Sequence, residues 1–229
     1  MTKSLKIGVV VFPGSNCDQD AFRAAKNVAK AEAVWLWHKD ADLKNVDAVI
    51  IPGGFSYGDY LRCGAMAKNA PIMAPLIASA NAGLPVIGIC NGFQILTESG
   101  LLPGVLMRNE RLKFICKTVH LTVENTNTAF TKSGKKNQNY KMPIAHMEGN
   151  YFIDTDGLKS LEDNNQIVFR YVDDKGSATA DANPNGALKN IAGICNKAGN
   201  VVGLMPHPER VCDAVLGGVD GRFIFESLL

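Results

Sequence analysis

A thiol framed by two glycines, Gly88-Ile89-Cys90-Asn91-Gly92, interrupts an apolar run, and a helix-like stretch follows it to Glu98. A nucleophile held on a tight strand-to-helix turn needs small residues two positions away on either side, because a Cβ there would strike the adjoining strand or helix. Gly88 and Gly92 meet that need. Such a turn aims the sulfur at a helix N-terminus, whose free N–H groups and dipole favour thiolate over thiol and can also hold an oxyanion. Taken alone, the pattern fits a buried small residue equally well.

A thiolate that transfers an acyl group needs a base, and the base needs an orienting carboxylate. "MPHPER", Met205 to Arg210, offers His207 and Glu209 two positions apart across Pro208. In an extended segment alternate residues share a face, so the carboxylate would reach the imidazole N–H. A third piece is Pro52-Gly53-Gly54, which breaks an apolar run and lets backbone N–H groups approach a ligand. It reads as half of an oxyanion hole, as a phosphate-binding loop or as a flexible loop. No G-x-x-x-x-G-K-[ST] or G-x-G-x-x-G occurs, so nucleotide binding has no motif to rest on.

These residues need strands that end beside one another. Ile7 to Phe12, Val34 to Trp37, Val46 to Ile51 and Pro85 to Ile89 are short, β-branched apolar runs without alternation, the pattern of strands covered on both faces. Between them, Asn16 to Ala31 and Pro71 to Ala82 read as helices, the first opened by a capping-box spacing of Asn16 and Gln19. In the second half Phe114 to Val123 alternates like a strand, and Ile167 to Val172, Ile191 to Cys195 and Val201 to Met205 are short strands between polar turns. Lys132 to Lys141 reads as a solvated loop. The expected fold is α/β: a single domain over residues 1–229 with a mostly parallel, flavodoxin-like central sheet flanked by helices and an antiparallel extension in the second half.

The 229 residues are 46% hydrophobic and 20% charged, with 24 Lys+Arg against 22 Asp+Glu. One core fits that composition, and the small net charge of +2 gives no sign of a nucleic-acid or membrane surface. The six cysteines are scattered without a C-x-x-C pair, which argues against a disulfide framework or a zinc site and for free thiols in the cytoplasm. Ile7 to Phe12 is too short for a signal-peptide core or a membrane span.

Pro52-Gly53-Gly54, Gly88 to Gln94 and His207-Pro208-Glu209, in this order and spacing, resemble the class I (triad) glutamine amidotransferases. "VVVFPGSNCD" (9–18), "PGGFSYGDYLRCGA" (52–65), "CNGFQILTESGLLPG" (90–104) and "MPHPER" (205–210) narrow the resemblance to the branch serving purine biosynthesis. There a glutaminase subunit feeds ammonia to an ATP-dependent synthetase acting on formylglycinamide ribonucleotide. The resemblance implies Cys90 as nucleophile, His207 as general base and acid, and Glu209 as its orienter. It implies backbone donors near Gly53 and Gly54 and at Asn91 for the oxyanion, and Gln94 as a contact for L-glutamine. The implied partners are a large synthetase subunit, where ATP and magnesium would bind, and a small third subunit; no metal or cofactor is expected in this chain. Met147 in "PIAHMEGNY" (143–151) stands where the family usually has glycine, which leaves His146 and Glu148 without an assigned part, as are Cys17 and Cys63. The rival readings are an amidotransferase serving another synthetase and a nucleophile-elbow cysteine hydrolase.

Overall fold

The computed structural model describes residues 4–229. The apolar runs of the first half form β1 (Lys6–Val11), β2 (Glu32–Trp37), β3 (Ala48–Ile51) and β4 (Val86–Ile89). They lie parallel, and β11 (Val201–Leu204) joins them beside β4 in the same direction. Every residue of β3, β4 and β11 is buried, as their unbroken apolar pattern requires. Each Ile or Val hidden there contributes roughly 1.5–3 kcal/mol relative to exposure.

From β11 the sheet continues through β10 (Ile191–Cys195), β9 (Ile167–Val172), β6 (Ile115–Val123) and β7 (Asn139–His146), each antiparallel to its neighbour. The nine-stranded order is β2-β1-β3-β4-β11-β10-β9-β6-β7, one sheet with a parallel half and an antiparallel extension, as expected. A separate ribbon pairs β5 (Val105–Met107) with β8 (Asn150–Phe152).

The helices are α1 (Asp18–Asn27), α2 (Met73–Asn81), α3 (Asn91–Glu98), α4 (Thr155–Asp163) and α5 (Arg222–Glu226). α1 turns Ala21, Ala24 and Ala25 inward, small side chains that let its backbone lie close to the sheet. α3 is buried from Asn91 to Leu96, so the helix after the candidate nucleophile is fixed by core packing. None of the helices among the described residues is long and apolar enough to cross a membrane.

Three local expectations need correction. The capping box does not form: α1 starts at Asp18 with Cys17 as its N-cap, and no side chain caps it. Asn16 instead turns its Oδ1 to the Cys17 thiol at 3.3 Å. The polar run 132–141 is turn and loop only as far as Gln138, because Asn139 enters β7 and pairs with Thr122. α4, absent from the sequence reading, is capped by Asp154, whose Oδ1 accepts from the Gly157 N–H at 2.7 Å.

Candidate active site

β4 ends at Ile89 and α3 begins at Asn91, leaving Cys90 alone between them at φ 51° and ψ −105°. For a residue with a side chain this conformation costs about 1–3 kcal/mol, and it persists only when its surroundings impose it. Here the Cys90 N–H donates to the Leu204 carbonyl at 2.8 Å, while its own carbonyl accepts from Gln94 N–H at 3.1 Å. A Cβ on Gly88 would lie 2.5 Å from the Gly92 carbonyl oxygen, and one on Gly92 would collide with the Ile51 carbonyl. The two glycines are thus required by close approach, as their spacing suggested.

β11 leads into Met205-Pro206, and the His207 N–H is tied to the Pro143 carbonyl at 2.9 Å. Residues 208–210 then form a single 3-10 turn with Pro208 at its start. Glu209 therefore does not meet His207 along an extended segment; proline's fixed φ favours the turn, and the carboxylate folds back on the ring. The distance from Nδ1 to Oε1 is 2.6 Å, with both residues buried. Because Oε1 accepts, Nδ1 carries the proton, and Nε2, which has no hydrogen-bond partner, is the basic nitrogen. Burial lowers the affinity of this ring for a second proton. The Glu209 carboxylate and the facing sulfurs of Cys90 and Cys17 outweigh that and hold its pKa well above the ordinary value.

Gly53 is where these elements meet. A Cβ added to it would sit 2.7 Å from His207 Cε1, 3.4 Å from Cys90 Cβ and 3.3 Å from Cys17 Sγ. Gly54, at φ 142°, lies against the backbone of Gly14, Ser15 and Asn16. The N–H groups of Gly54 and Asn91 donate to no acceptor among the described residues, so both are available to a negatively charged oxygen. Cys17 accepts a hydrogen bond from Arg210 Nη2 at 3.1 Å. Its sulfur, a His207 nitrogen and a Glu209 oxygen lie within 4.8 Å of one another, a donor set suited to a soft cation that the linear spacing of the cysteines does not reveal. A cation there would compete with the Nδ1 proton for the carboxylate.

Cys90, Gly54 and Gln94 line one cavity of about 310 Å³ together with Phe55, Asp59 and Glu148. The Asn91 side chain is turned into a network instead: its Oδ1 accepts from Ser56 N–H at 3.1 Å, and its Nδ2 donates to Gln94 Oε1 at 2.9 Å and Asp59 Oδ1 at 3.3 Å. Gln94 Nε2 donates to the Glu148 carbonyl at 2.5 Å. His146, also in the cavity wall, is 3% exposed, with Nδ1 on Asn109 Oδ1 at 3.1 Å and Nε2 unpartnered. Burial, then the neighbouring His207, pushes its pKa down to about 3, so the ring is neutral at physiological pH. Met147 is not in a left-handed conformation, so the position does not demand glycine, and its side chain lies in the cavity wall. Sequence reasoning missed Asp59 and Arg108 of this wall; Asp59 was visible only as a member of the 52–65 motif.

A model of the CobB/CobQ-like glutamine amidotransferase domain matches residues 4–219. The phosphoribosylformylglycinamidine synthase subunit PurQ of Chlorobaculum parvum is 56% identical over 98% of this chain and 89% of its own length. That of Salinibacter ruber is 56% identical over 99% and 96%. A solved structure of PurLQS from Thermotoga maritima aligns with a TM-score of 0.86 and 43% identity, covering 99% of this chain and 98% of that one. Site geometry, family model and near full-length relatives agree: the chain belongs to the glutamine amidotransferases, in the branch of the PurQ subunits of phosphoribosylformylglycinamidine synthase.

Proposed function

We propose that this chain is the glutaminase subunit of a phosphoribosylformylglycinamidine synthase. It hydrolyses L-glutamine through Cys90 and passes ammonia to an ATP-dependent partner that converts formylglycinamide ribonucleotide to formylglycinamidine ribonucleotide. The observation that carries the reading is the strained Cys90 elbow set beside a buried His207–Glu209 pair 2.6 Å apart. His207 Nε2 takes the Cys90 proton, and the thiolate attacks the side-chain amide carbon of glutamine. The developing oxyanion is received by the N–H groups of Gly54 and Asn91. His207 returns the proton to the leaving nitrogen, the C–N bond breaks, and ammonia departs from a γ-glutamyl thioester. Water, losing its proton to His207, attacks that thioester; glutamate leaves and the thiol is restored. Glu209 keeps the ring in the tautomer that each step uses.

Ammonia reacts only while unprotonated, so the product needs a sheltered route to its acceptor. Phe55, Phe114 and Met147 line the cavity and are each about half exposed, an apolar rim suited to being covered by the synthetase. The PurLQS relative supports a complex with a large synthetase subunit and a small third subunit, and purine synthesis of this kind supports a cytoplasmic location. Ammonia release from glutamine, measured with and without the synthetase, tests the reading. Weak release by the chain alone, a strong rise on assembly and none from Cys90→Ala are expected; full activity without a partner would contradict the docking requirement, and an active Cys90→Ala the mechanism.

A further inference from the structure

Cys17 takes no step in the glutaminase reaction, yet it is buried against the residues that do. Its sulfur, a ring nitrogen of His207 and a carboxylate oxygen of Glu209 all lie within 4.8 Å of one another. Two atoms of this group, His207 Nε2 and Glu209 Oε2, are buried without a hydrogen-bond partner among the described residues. Gly53 keeps space open at the same point. A Cβ there would stand 3.3 Å from the Cys17 sulfur and 2.7 Å from His207 Cε1. A thiol, an imidazole and a carboxylate around space that only a glycine leaves free are the ligand types of zinc, whereas magnesium and calcium take oxygen ligands.

Donor atoms around a tetrahedral zinc stand about 3.3–3.6 Å apart. His207 Nδ1 and Glu209 Oε1, now 2.6 Å apart, would part slightly and the sulfur would draw in, movements of about 1 Å. Arg210 Nη2 donates to Cys17 Sγ at 3.1 Å, and an incoming dication would repel it. Its Nε already stands 3.5 Å from Asp20 Oδ2 and its side chain is partly exposed, so the guanidinium has an anion and water to turn to. A second cavity of about 210 Å³ supplies the way in. Glu209 lies in its wall with Asp20, Asp213 and Arg23, whereas Cys90 and His207 do not. A cation can therefore reach the carboxylate from outside the cavity that holds Cys90.

We propose that Cys17, His207 and Glu209 form an inhibitory zinc site that switches the glutaminase off. The Cys17 proton passes to solvent as the thiolate binds. The carboxylate turns from the Nδ1–H to the cation, and the ring is drawn after it. With the metal on one ring nitrogen, a neutral imidazole carries its proton on the other, so neither is left to take the Cys90 proton. Zinc takes the base out of use without taking the place of glutamine, so it lowers kcat and leaves KM nearly unchanged. The effect on turnover rests on the glutaminase reading; the coordination does not.

The test uses the purified chain with zinc sulfate, and cobalt(II) as a coloured stand-in. Competition against a chromophoric chelator should find tight zinc binding in wild type and in Cys90→Ala. Cys17→Ser should weaken it by at least about tenfold to a hundredfold, the loss usual even for a residue that merely supports a metal ligand. Glu209→Gln should do the same, which keeps the prediction open to test if one variant does not fold. Cobalt should give a sulfur-to-metal charge-transfer band that Cys90→Ala keeps and Cys17→Ser lacks. In the assembled synthase, saturating zinc should lower kcat for ammonia release roughly 10²-fold or more, the scale of losing a general base, without raising KM, and a zinc-selective chelator should restore it. Zinc held equally by Cys17→Ser, zinc lost from Cys90→Ala, binding without inhibition, or a raised KM at normal kcat would each overturn the proposal. A zinc-free wild-type synthase that releases no ammonia from glutamine would instead sink the glutaminase reading, and with it the inhibitory role, whatever the binding shows.

Discussion

The two halves of the sheet contribute to the site in different ways. In the parallel half, the segments leaving β1, β3, β4 and β11 bring Cys17, Gly53-Gly54, Cys90 and the His207–Glu209 turn to one place. Parallel neighbours end at the same edge, so the loops that follow them must converge, and reacting groups gather there. In the antiparallel half, direction alternates from strand to strand. Only the start of β6, beside Phe114, and the end of β7, at His146, reach the cavity, and they are paired at Ile115 and His146. That half supplies only wall and shape, whereas the parallel half carries the proposed reacting groups together with the remainder of the wall.

If this division is right, substitutions in the loops that carry the reacting groups cost turnover, and those elsewhere in the wall or in the antiparallel half cost affinity or stability. Short of removing the nucleophile, the largest effect belongs to Glu209→Gln, which keeps the shape but loses the charge that fixes the Nδ1–H tautomer; kcat should fall roughly 10³- to 10⁴-fold with KM little altered. Steady-state kinetics would show it, and a loss below tenfold would remove Glu209 from the machinery. Gly54→Ala comes next. A Cβ there would press on the 14–16 backbone at a φ that side chains avoid, displacing a free N–H and lowering kcat roughly 10²- to 10³-fold. Normal kcat with a raised KM would place that loop in binding instead.

The smallest effect belongs to the antiparallel half. His146 has a folded-state pKa of about 3, below the unfolded value near 6.5. The unfolded chain takes up a proton that the native state refuses, so this residue's contribution is complete above about pH 6.5 and is lost as pH falls toward 3. The slope is at most about 1.4 kcal/mol per pH unit. Urea unfolding of wild type and His146→Gln between pH 7 and pH 4 should show a shallower acid loss in the variant. Parallel curves would mean that the ring is protonated in the native state.

The nucleophile elbow was legible because local sterics alone demand Gly88 and Gly92, and the parallel strands because β-branched runs such as Ala48–Ile51 leave no polar face. Pairing of His207 with Glu209 was also readable, although its 3-10 geometry was not, since two-residue spacing fits either an extended segment or a proline-led turn. What the sequence hid was long-range. Nothing local signals that Asp59 and Glu148 line one cavity, or that Cys17 lies beside His207. β7 begins inside a polar run because this edge strand buries only alternate residues, Tyr140, Met142 and Ile144, while Asn139 and Lys141 between them keep the polar character of the run. The misplaced capping box has a similar origin. Loop 14–16 packs on Gly54, and that tertiary contact outweighs the local cap.

The central claim is covalent, and rapid quenching of the assembled synthase with glutamine, followed by peptide mass analysis, addresses it most directly. A γ-glutamyl adduct should form on Cys90, decay as glutamate appears and be absent from Cys90→Ser. Ammonia released at the full rate with no adduct on that sulfur, or with the adduct on Cys17 beside the same imidazole, would contradict it.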